Sequence, residues 1–232
     1  MKASLEGDGL VFLGGINLSV GSNNLSTVFS GLIEENSEGV QGALTKIGSG
    51  ALILTGANTY TGGTTIEGGN LVVNNRTGSA TGSGPVQVNA GRLGGPGIIA
   101  GSVVVGNGSG PGAALVPRRR GGRPHKLTIQ SQLTFNSDGI YRCGVNSERA
   151  RAARVVANGV VINGAQFSLL DCCGLSLLSG TVLRVIDNTS ADPISGTFAN
   201  LPDGGTITVG NNNLQASYTG GDGNDLTLTV VP

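Results

Sequence analysis

Hydrophobic residues in this chain fall into short runs, most of them three to five residues long, separated by Gly, Asn, Asp, Ser or Pro. Apolar runs bounded by turn-forming residues are typical of β-strands. Helical patterns are nearly absent, because most windows of a dozen residues contain a Gly or a Pro. The pattern therefore predicts an all-β chain. Representative runs are Leu52–Leu54, Leu71–Val73, Val86–Val88, Val103–Val105, Leu133–Phe135 and Val160–Ile162.

The spacing of these runs narrows the architecture. Successive runs start roughly 7 to 20 residues apart, and their strands are shorter than the five or six residues usual in sandwiches and barrels. Short strands with Gly-rich corners suit a solenoid, in which inward Val, Leu and Ile stack on their equivalents in the next coil. We predict a right-handed parallel β-helix over residues 1–165, with regular coils from about residue 8.

A different pattern appears in residues 166–232. The runs Thr181–Ile186, Thr206–Val209, Leu214–Tyr218 and Leu226–Val230 are longer and alternate more regularly, with Gly-rich turns between them. An open final coil would expose unpaired strand edges and invite aggregation. We therefore predict that this region forms an antiparallel β cap that closes the helix.

Composition supports a thin aliphatic core. The 232 residues include 42 Gly, 8 Pro and no Trp, and only 3% are aromatic, so ladders of small aliphatic residues must fill the interior. Collagen is excluded because Gly does not recur at every third position, and the 38% hydrophobic content argues against disorder. The formal net charge is zero, which gives no global attraction to nucleic acid or membranes.

The three cysteines predict neither a disulfide framework nor a zinc site. Their number is odd, and the spacing of Cys143, Cys172 and Cys173 fits no metal motif. If Cys172 and Cys173 lie in a strand, their side chains point to opposite faces. We expect free or buried thiols and no cofactor.

The segment Leu44–Leu71 is the most specific feature of the sequence. It reads Leu-Thr-Lys, a Gly-x-Gly turn, Leu-x-Leu, Gly-x-Asn-x-Tyr-x-Gly, and then a Thr-rich stretch ending in Gly-Gly-x-Leu. This order of residues closely resembles the passenger-associated transport repeat of bacterial autotransporters. Looser similarity to the same passengers extends over Leu93–Ile99, Leu127–Phe135, Ser195–Pro202 and Tyr218–Leu228.

The resemblance implies a β-helical passenger stalk that is displayed on, or secreted through, the outer membrane. It implies a translocator barrel outside this chain, and it implies no single activity, because passengers carry varied functions on added segments. We expect an extracellular or cell-surface location and a monomer. The chain departs from the family at Val116–Lys126, where a basic stretch replaces the usual Pro-Gly-rich corner.

That basic stretch is the first candidate site. It contains Arg118, Arg119, Arg120, Arg123 and Lys126, together with the only His, His125. Such clusters bind phosphates or acidic glycans. No aromatic residues are interleaved for base stacking, so no nucleic-acid partner is predicted. The simpler interpretation is a solvated protruding loop, because a short basic run is not specific.

The turn Gly220–Asp225 is a weak candidate for calcium. It fits one copy of a Gly-Gly-x-Gly-x-Asp calcium motif, with Asp222 and Asp225 as ligands, but such sites need several stacked copies. A turn between the last two strands explains it equally well, and we predict no metal.

No catalytic arrangement is visible. His125 has no implied partner, no Gly-x-Ser-x-Gly motif occurs, and the carboxylates Glu34, Glu35, Asp187, Asp192 and Asp203 read as solvated residues of loops and turns. Within any single coil, Asp, Arg and Lys do not cluster as in β-helix enzymes that act on polysaccharides. Tyr60, inside the repeat, is expected to cover a coil edge with its hydroxyl in water.

Three functions therefore remain open. The first is a structural or adhesive surface stalk without catalysis of its own. The second is a module that binds host or matrix glycans or proteins through the loops at Glu34–Gln41 and Arg118–Lys126. The third is a polysaccharide-acting β-helix enzyme, which a cleft lined by clustered Asp and Arg would favour.

Overall fold

A computed structural model describes residues 4–37, 39–110, 112–117 and 125–232. These residues form 24 β-strands and no helix, so none of them belongs to a helix long and apolar enough to span a membrane. The strands are β1 (Leu10–Phe12), β2 (Asn17–Val20), β3 (Thr27–Phe29), β4 (Leu32–Glu34), β5 (Ala43–Lys46), β6 (Ala51–Leu54), β7 (Thr64–Ile66), β8 (Asn70–Val73), β9 (Val86–Val88), β10 (Gly91–Gly94), β11 (Ile98–Ile99), β12 (Val103–Val105), β13 (Ala113–Val116), β14 (Lys126–Ile129), β15 (Leu133–Phe135), β16 (Gly139–Asn146), β17 (Arg151–Ala152), β18 (Arg154–Ala157), β19 (Val160–Ile162), β20 (Gln166–Asp171), β21 (Val182–Asn188), β22 (Thr206–Val209), β23 (Asn212–Gly220) and β24 (Asp225–Val231).

The strands stack as a parallel β-solenoid of about six turns, which confirms the predicted fold class. One sheet contains β2, β5, β7, β9, β12, β15 and β19, and a second contains β3, β6, β8, β10, β13 and β16 with β17 and β20. The third sheet runs from β11 through β14, β18 and β21 to β24, β23 and β22. Strands β1 and β4 form a separate parallel pair.

Aliphatic side chains form ladders between the coils, as predicted. In the first sheet, the parallel register places Leu44, Thr64, Val86, Val103, Leu133 and Val160 in one buried column. In the second sheet, Leu52, Leu71, Leu93 and Leu115 are followed by Tyr141 and Phe167. A single coil is too thin to bury its own apolar side chains. Each coil is therefore stabilised by contacts with the coils on either side.

The final coils have a larger aromatic filling. The rings of Phe135, Tyr141, Phe167 and Phe198 lie with centroids 5.3 to 6.2 Å apart. The Tyr141 hydroxyl donates a hydrogen bond of 2.6 Å to the carbonyl of Val185 in β21. Aromatic rings bury large apolar areas, so this cluster joins the solenoid to its closing region.

The closing region is mixed. Strand β21 continues the parallel ladder on β18, and β24, β23 and β22 then follow in antiparallel order. The turn at residues 221–224 joins β23 to β24, as the turn interpretation of that motif predicted. Parallel pairing includes both β20 and β21, and the division of the chain at residue 165 stays a prediction.

Candidate functional site

Lys46 is a buried cation within an aliphatic ladder of the repeat. Its side chain is 1% exposed, and the register places it in one column with Ile66, Val88 and Val105. Its ammonium donates hydrogen bonds to the carbonyls of Ile47 (2.6 Å), Gly48 (3.2 Å) and Gly68 (3.3 Å). Because Gly48 and Gly68 belong to successive coils, Lys46 ties the two corners together. Burial lowers the pKa of Lys46.

The corner beside the Lys46 ammonium requires a glycine at position 69. Gly69 has a φ of +66°, and a Cβ there would lie 2.4 Å from the carbonyl oxygen of Gly50 and 2.9 Å from the ammonium of Lys46. Only glycine has both the conformation and the space, which explains the second glycine of the motif's Gly-Gly pair.

Asn58 lies between the β1–β4 pair and the start of the third sheet, where the chain forms no strand. Its side chain makes the hydrogen bonds between coils that strand pairing makes elsewhere. Its Oδ1 accepts a hydrogen bond of 2.8 Å from the backbone N–H of Ile33, and its Nδ2 donates one of 2.5 Å to the carbonyl of Ala80. These two residues lie in the coils before and after Asn58. The asparagine of the motif therefore connects three consecutive coils.

The prediction for Tyr60 is wrong. Its side chain is fully buried, and its hydroxyl lies 2.6 Å from the hydroxyl of Thr64 instead of reaching water. Burial raises the pKa of Tyr60, and the hydrogen bond to Thr64 opposes that shift. Thr64 supplies the polar partner inside the solenoid, so the phenol needs no contact with solvent.

The predicted loop Glu34–Gln41 borders an open polar cleft of about 500 Å³. Glu35 Oε1 accepts hydrogen bonds from the backbone N–H groups of Gly42 (2.6 Å) and Thr61 (2.8 Å). The bond from Thr61 is the largest cause of a lowered pKa at Glu35. Glu35 was predicted to be a solvated loop carboxylate, but it also fixes the loop to the repeat. The other lining residues are Asn36, Ser37, Gly39, Val40, Gln41 and Thr59.

A further carboxylate, that of Asp138, holds a turn in the same way. Asp138 accepts hydrogen bonds from the backbone N–H groups of Asn107, Gly108 and Gly110 in the preceding coil, at 2.7 to 3.2 Å. Partial burial raises its pKa, and these hydrogen bonds outweigh that effect, so the pKa is lowered. These contacts are structural, and they leave both carboxylate oxygens of Asp138 occupied.

A second cleft, of about 420 Å³, lies beside the predicted basic loop. Of the five basic residues predicted there, Lys126 lies in β14 and is exposed, whereas Arg118, Arg119, Arg120 and Arg123 lie outside the described residues. The structure adds three arginines that the sequence did not single out, namely Arg151, Arg154 and Arg184. The remaining lining residues are His125, Ala150, Ala152, Val182 and Leu183.

Adjacent coils bring these cations together. Lys126 and Arg154 are register partners on β14 and β18, and neighbouring strands lie only about 4.8 Å apart. Because the residues are 28 positions apart in the chain, inspecting single coils could not reveal the cluster. The register of the parallel strands was the missing information.

Two carboxylates neutralise part of this cluster. Asp187 lies 3.5 Å from a terminal guanidinium nitrogen of Arg154 and 3.5 Å from one of Arg184. Arg184 Nε also lies 3.1 Å from Asp225 Oδ2. Within the part of the chain that the structure describes, Lys126 and Arg151 form no ion pair, and both are exposed. We call Lys126, Arg151, Arg154 and Arg184 the basic cleft.

The structure places the weak calcium candidates in different environments. Asp225 is fully buried, and its Oδ1 accepts a hydrogen bond of 2.8 Å from the Asn188 N–H. Burial raises its pKa, which Asn188 and Arg184 partly offset. A guanidinium therefore already faces Oδ2, the other oxygen that a calcium ion would need. Asp222 is exposed on the turn.

The paired cysteines lie outside a strand, so the alternation of side chains expected in a strand does not apply to them. Cys172 and Cys173 follow β20 in a turn rather than lying within a strand, and their Sγ atoms are 2.6 Å apart. Together with Asp171 they form the one group of three potential metal-ligating side chains among the described residues, within 4.8 Å of one another. Cys143 is a buried thiol, which agrees with the expectation of free or buried thiols. It donates a hydrogen bond to the carbonyl of Ala153.

Comparison with known proteins identifies the repeat. The family model of the passenger-associated transport repeat matches residues 44–73. A search of curated proteins found no match. The matched segment contains Lys46 and Asn58, which connect neighbouring coils, and Tyr60, which is bonded to Thr64. Residues 44–73 form a passenger-associated transport repeat, and this repeat within a parallel β-solenoid fits an autotransporter passenger domain.

Proposed function

We propose that this chain is an adhesive passenger stalk that binds acidic glycans, sulfated ones above all, through the basic cleft. The family of the repeat suggests a secreted or cell-surface protein, and the solenoid fits a passenger stalk. The observation that supports the adhesive role is the convergence of four cations from β14, β17, β18 and β21 on one surface.

The charge balance of the cleft favours an anionic ligand. Arg154 and Arg184 form ion pairs with Asp187, and Arg184 also pairs with Asp225. By contrast, Lys126 and Arg151 are exposed and form no ion pair within the described residues. Extended polyanions bind such surfaces mainly by neutralising fixed charges and releasing counterions, so affinity falls steeply as salt increases. Four more arginines precede Lys126 within eight positions of the sequence.

Binding of purified protein to immobilised heparin, with neutral dextran as the comparison surface, tests this proposal. The double variant Lys126→Ala/Arg151→Ala is expected to weaken heparin binding by roughly tenfold, since loss of about 1.4 kcal/mol shared by two charge contacts gives that factor. It is also expected to reduce the salt dependence. Both side chains are exposed, so the fold is expected to tolerate the change.

The matched control removes the same charge elsewhere. Arg76 and Arg92 are exposed and do not line the cleft, so Arg76→Ala/Arg92→Ala is expected to leave heparin binding nearly unchanged. If the two double variants lost heparin binding equally, binding would depend only on net charge, which would contradict a specific site in the cleft. Alanine replacement of Arg118, Arg119, Arg120 and Arg123 measures the contribution of the predicted loop.

A polysaccharide-acting enzyme is the second candidate, because the structure brings arginines and Asp187 together where the sequence suggested no cluster. Cleavage would need an acid and a base that can reach the substrate. Asp225 is fully buried, and Asp187 is held between two arginines, which favours binding over catalysis. New chain ends released from an acidic polysaccharide, and lost in Asp187→Asn, would support the enzyme instead.

A further inference from the structure

The turn after β20 holds two adjacent thiols unusually close together. The Sγ atoms of Cys172 and Cys173 are 2.6 Å apart, only about 0.6 Å beyond the length of a disulfide bond. In an extended strand, neighbouring side chains point to opposite faces, so this proximity requires a dedicated turn. The backbone here brings together two side chains that a strand would keep apart.

Asp171 and Ser147 build that turn. Asp171 Oδ1 accepts a hydrogen bond from the Cys173 N–H (3.2 Å), and Oδ2 accepts one from the Gly174 N–H (2.8 Å). The backbone N–H and hydroxyl of Ser147 also donate to this carboxylate, and the hydroxyl accepts from the Leu175 N–H. The turn is therefore anchored to the neighbouring loop and is not held by the thiols alone.

These bonds argue for sulfur chemistry rather than metal binding. A tetrahedral zinc site with bonds of about 2.3 Å places its sulfurs about 3.8 Å apart, which would require the two thiols to separate. The carboxylate of Asp171 already accepts four hydrogen bonds. A metal would have to break this network, whereas a bond between the sulfurs would keep it.

The pair is accessible and chemically separate from the third cysteine. Cys172 is exposed and Cys173 is half-buried, so a small reagent can reach them, whereas Cys143 is fully buried. The hydrogen bond between the two thiols is the largest cause of a raised pKa at Cys172. Because the thiolate is the attacking species, oxidation is expected to accelerate as pH increases.

We propose that Cys172 and Cys173 are a redox modification site that closes to a vicinal disulfide when it meets a low-molecular-weight disulfide. One thiolate attacks the small disulfide, forming a mixed disulfide and releasing one small thiol. The second thiolate then attacks the protein sulfur of the mixed disulfide and releases the second small thiol. The protein loses two protons and two electrons and gains one S–S bond, and the small disulfide is reduced to two thiols.

The proposed disulfide is expected to affect mainly the segment that connects β20 to the cap. Leu175 and Leu177 lie just beyond the pair and exchange hydrogen bonds of 2.8 and 2.6 Å with the side chain of Asn212 at the start of β23. Closing so short a ring removes little entropy from the unfolded chain, so the disulfide is expected to change the global melting temperature only slightly. Its effect is to fix the turn that leads from the last coil to the cap.

The test uses the full chain, reduced and then exposed to oxidised glutathione. Intact mass spectrometry is expected to show the loss of two hydrogens without a retained glutathione adduct, and peptide mapping places the bond between Cys172 and Cys173. In Cys173→Ser or Cys172→Ser the second step is impossible, so one glutathione is expected to remain attached. Cys143→Ser is the control and is expected to behave like the wild type.

Two results would overturn the proposal. One is a wild-type protein that retains glutathione on either thiol or forms a disulfide-linked dimer. The other is loss of two hydrogens in a variant lacking Cys172 or Cys173, which would show that Cys143 supplies the partner.

Discussion

A chain that ends before residue 181 is expected to be insoluble or to unfold without cooperativity. The deletion removes β21, β22, β23 and β24, exposing the edge of β18 and the aromatic cluster around Phe135, Tyr141 and Phe167. Exposed strand edges and apolar surface promote aggregation. A soluble truncated protein with a sharp thermal transition would contradict the capping role. Solubility after expression and a circular dichroism melt are the measurements.

A substitution tests the same role without shortening the chain. Leu228 in β24 is fully buried, so Leu228→Asp places an unpaired carboxylate in the apolar interior. Such burial costs several kcal/mol, a large part of the 5–15 kcal/mol that stabilises a typical domain, so we expect loss of the cooperative transition. Thr229→Asp, next to it on the half-buried face, is expected to cost less than about 1 kcal/mol. Equal effects of the two substitutions would count against a packed cap.

Replacing Asn58 by alanine is expected to destabilise the repeat by roughly 2–5 kcal/mol. The change leaves the N–H of Ile33 and the carbonyl of Ala80 without their side-chain partner, and each unsatisfied buried group costs about 1–3 kcal/mol. Denaturant unfolding of the full chain measures the difference in the free energy of unfolding.

Thr59→Ala is the matched control for Asn58→Ala. Thr59 is exposed, and its contact with the preceding coil is a backbone hydrogen bond to the carbonyl of Ile33, which the substitution keeps. We expect a change within about 0.5 kcal/mol. A loss below about 1 kcal/mol for Asn58→Ala would mean that water or a local shift replaces the amide, and the coil connection would then be dispensable.

The sequence was sufficient for features that depend on local pattern. Short Val, Leu and Ile runs between turns predicted stacked strands, and the longer alternating runs after residue 181 predicted antiparallel pairing. The family motif at Leu44–Leu71 located the repeat. These predictions hold because period, turn residues and strand length are encoded within a few neighbouring positions.

Features that depend on the contact between coils were not predictable in this way. No sequence pattern singles out Lys46, and Tyr60 was expected to cover a coil edge. Both are buried, because corner carbonyls accept hydrogen bonds from Lys46 and the hydroxyl of Thr64 pairs with Tyr60. Arg154 and Arg184 are recognisable as part of a basic cluster only once the stacking of the coils places them beside Lys126. The turn that brings Cys172 and Cys173 together depends on Ser147, a residue of a different loop.

This division explains why the repeat indicates the fold but not the activity. Lys46 and Asn58 bond to neighbouring coils, and the hydroxyl of Tyr60 is paired with that of Thr64, so the polar atoms of these side chains are used inside the solenoid. The proposed binding surface lies elsewhere, where β14, β17, β18 and β21 meet, and it uses residues outside the matched segment. The solenoid would then act as the rigid support that holds these cations in place.

Adhesion of cells that display this chain is the most direct test of the adhesive stalk. The chain is placed between an export signal and an autotransporter translocator, and surface amounts are matched by labelling. We predict that displaying cells adhere to heparin-coated glass, that soluble heparin releases them, and that Lys126→Ala/Arg151→Ala at equal display adheres markedly less. If wild-type and variant cells adhere equally, or neither exceeds cells without the chain, the account is contradicted.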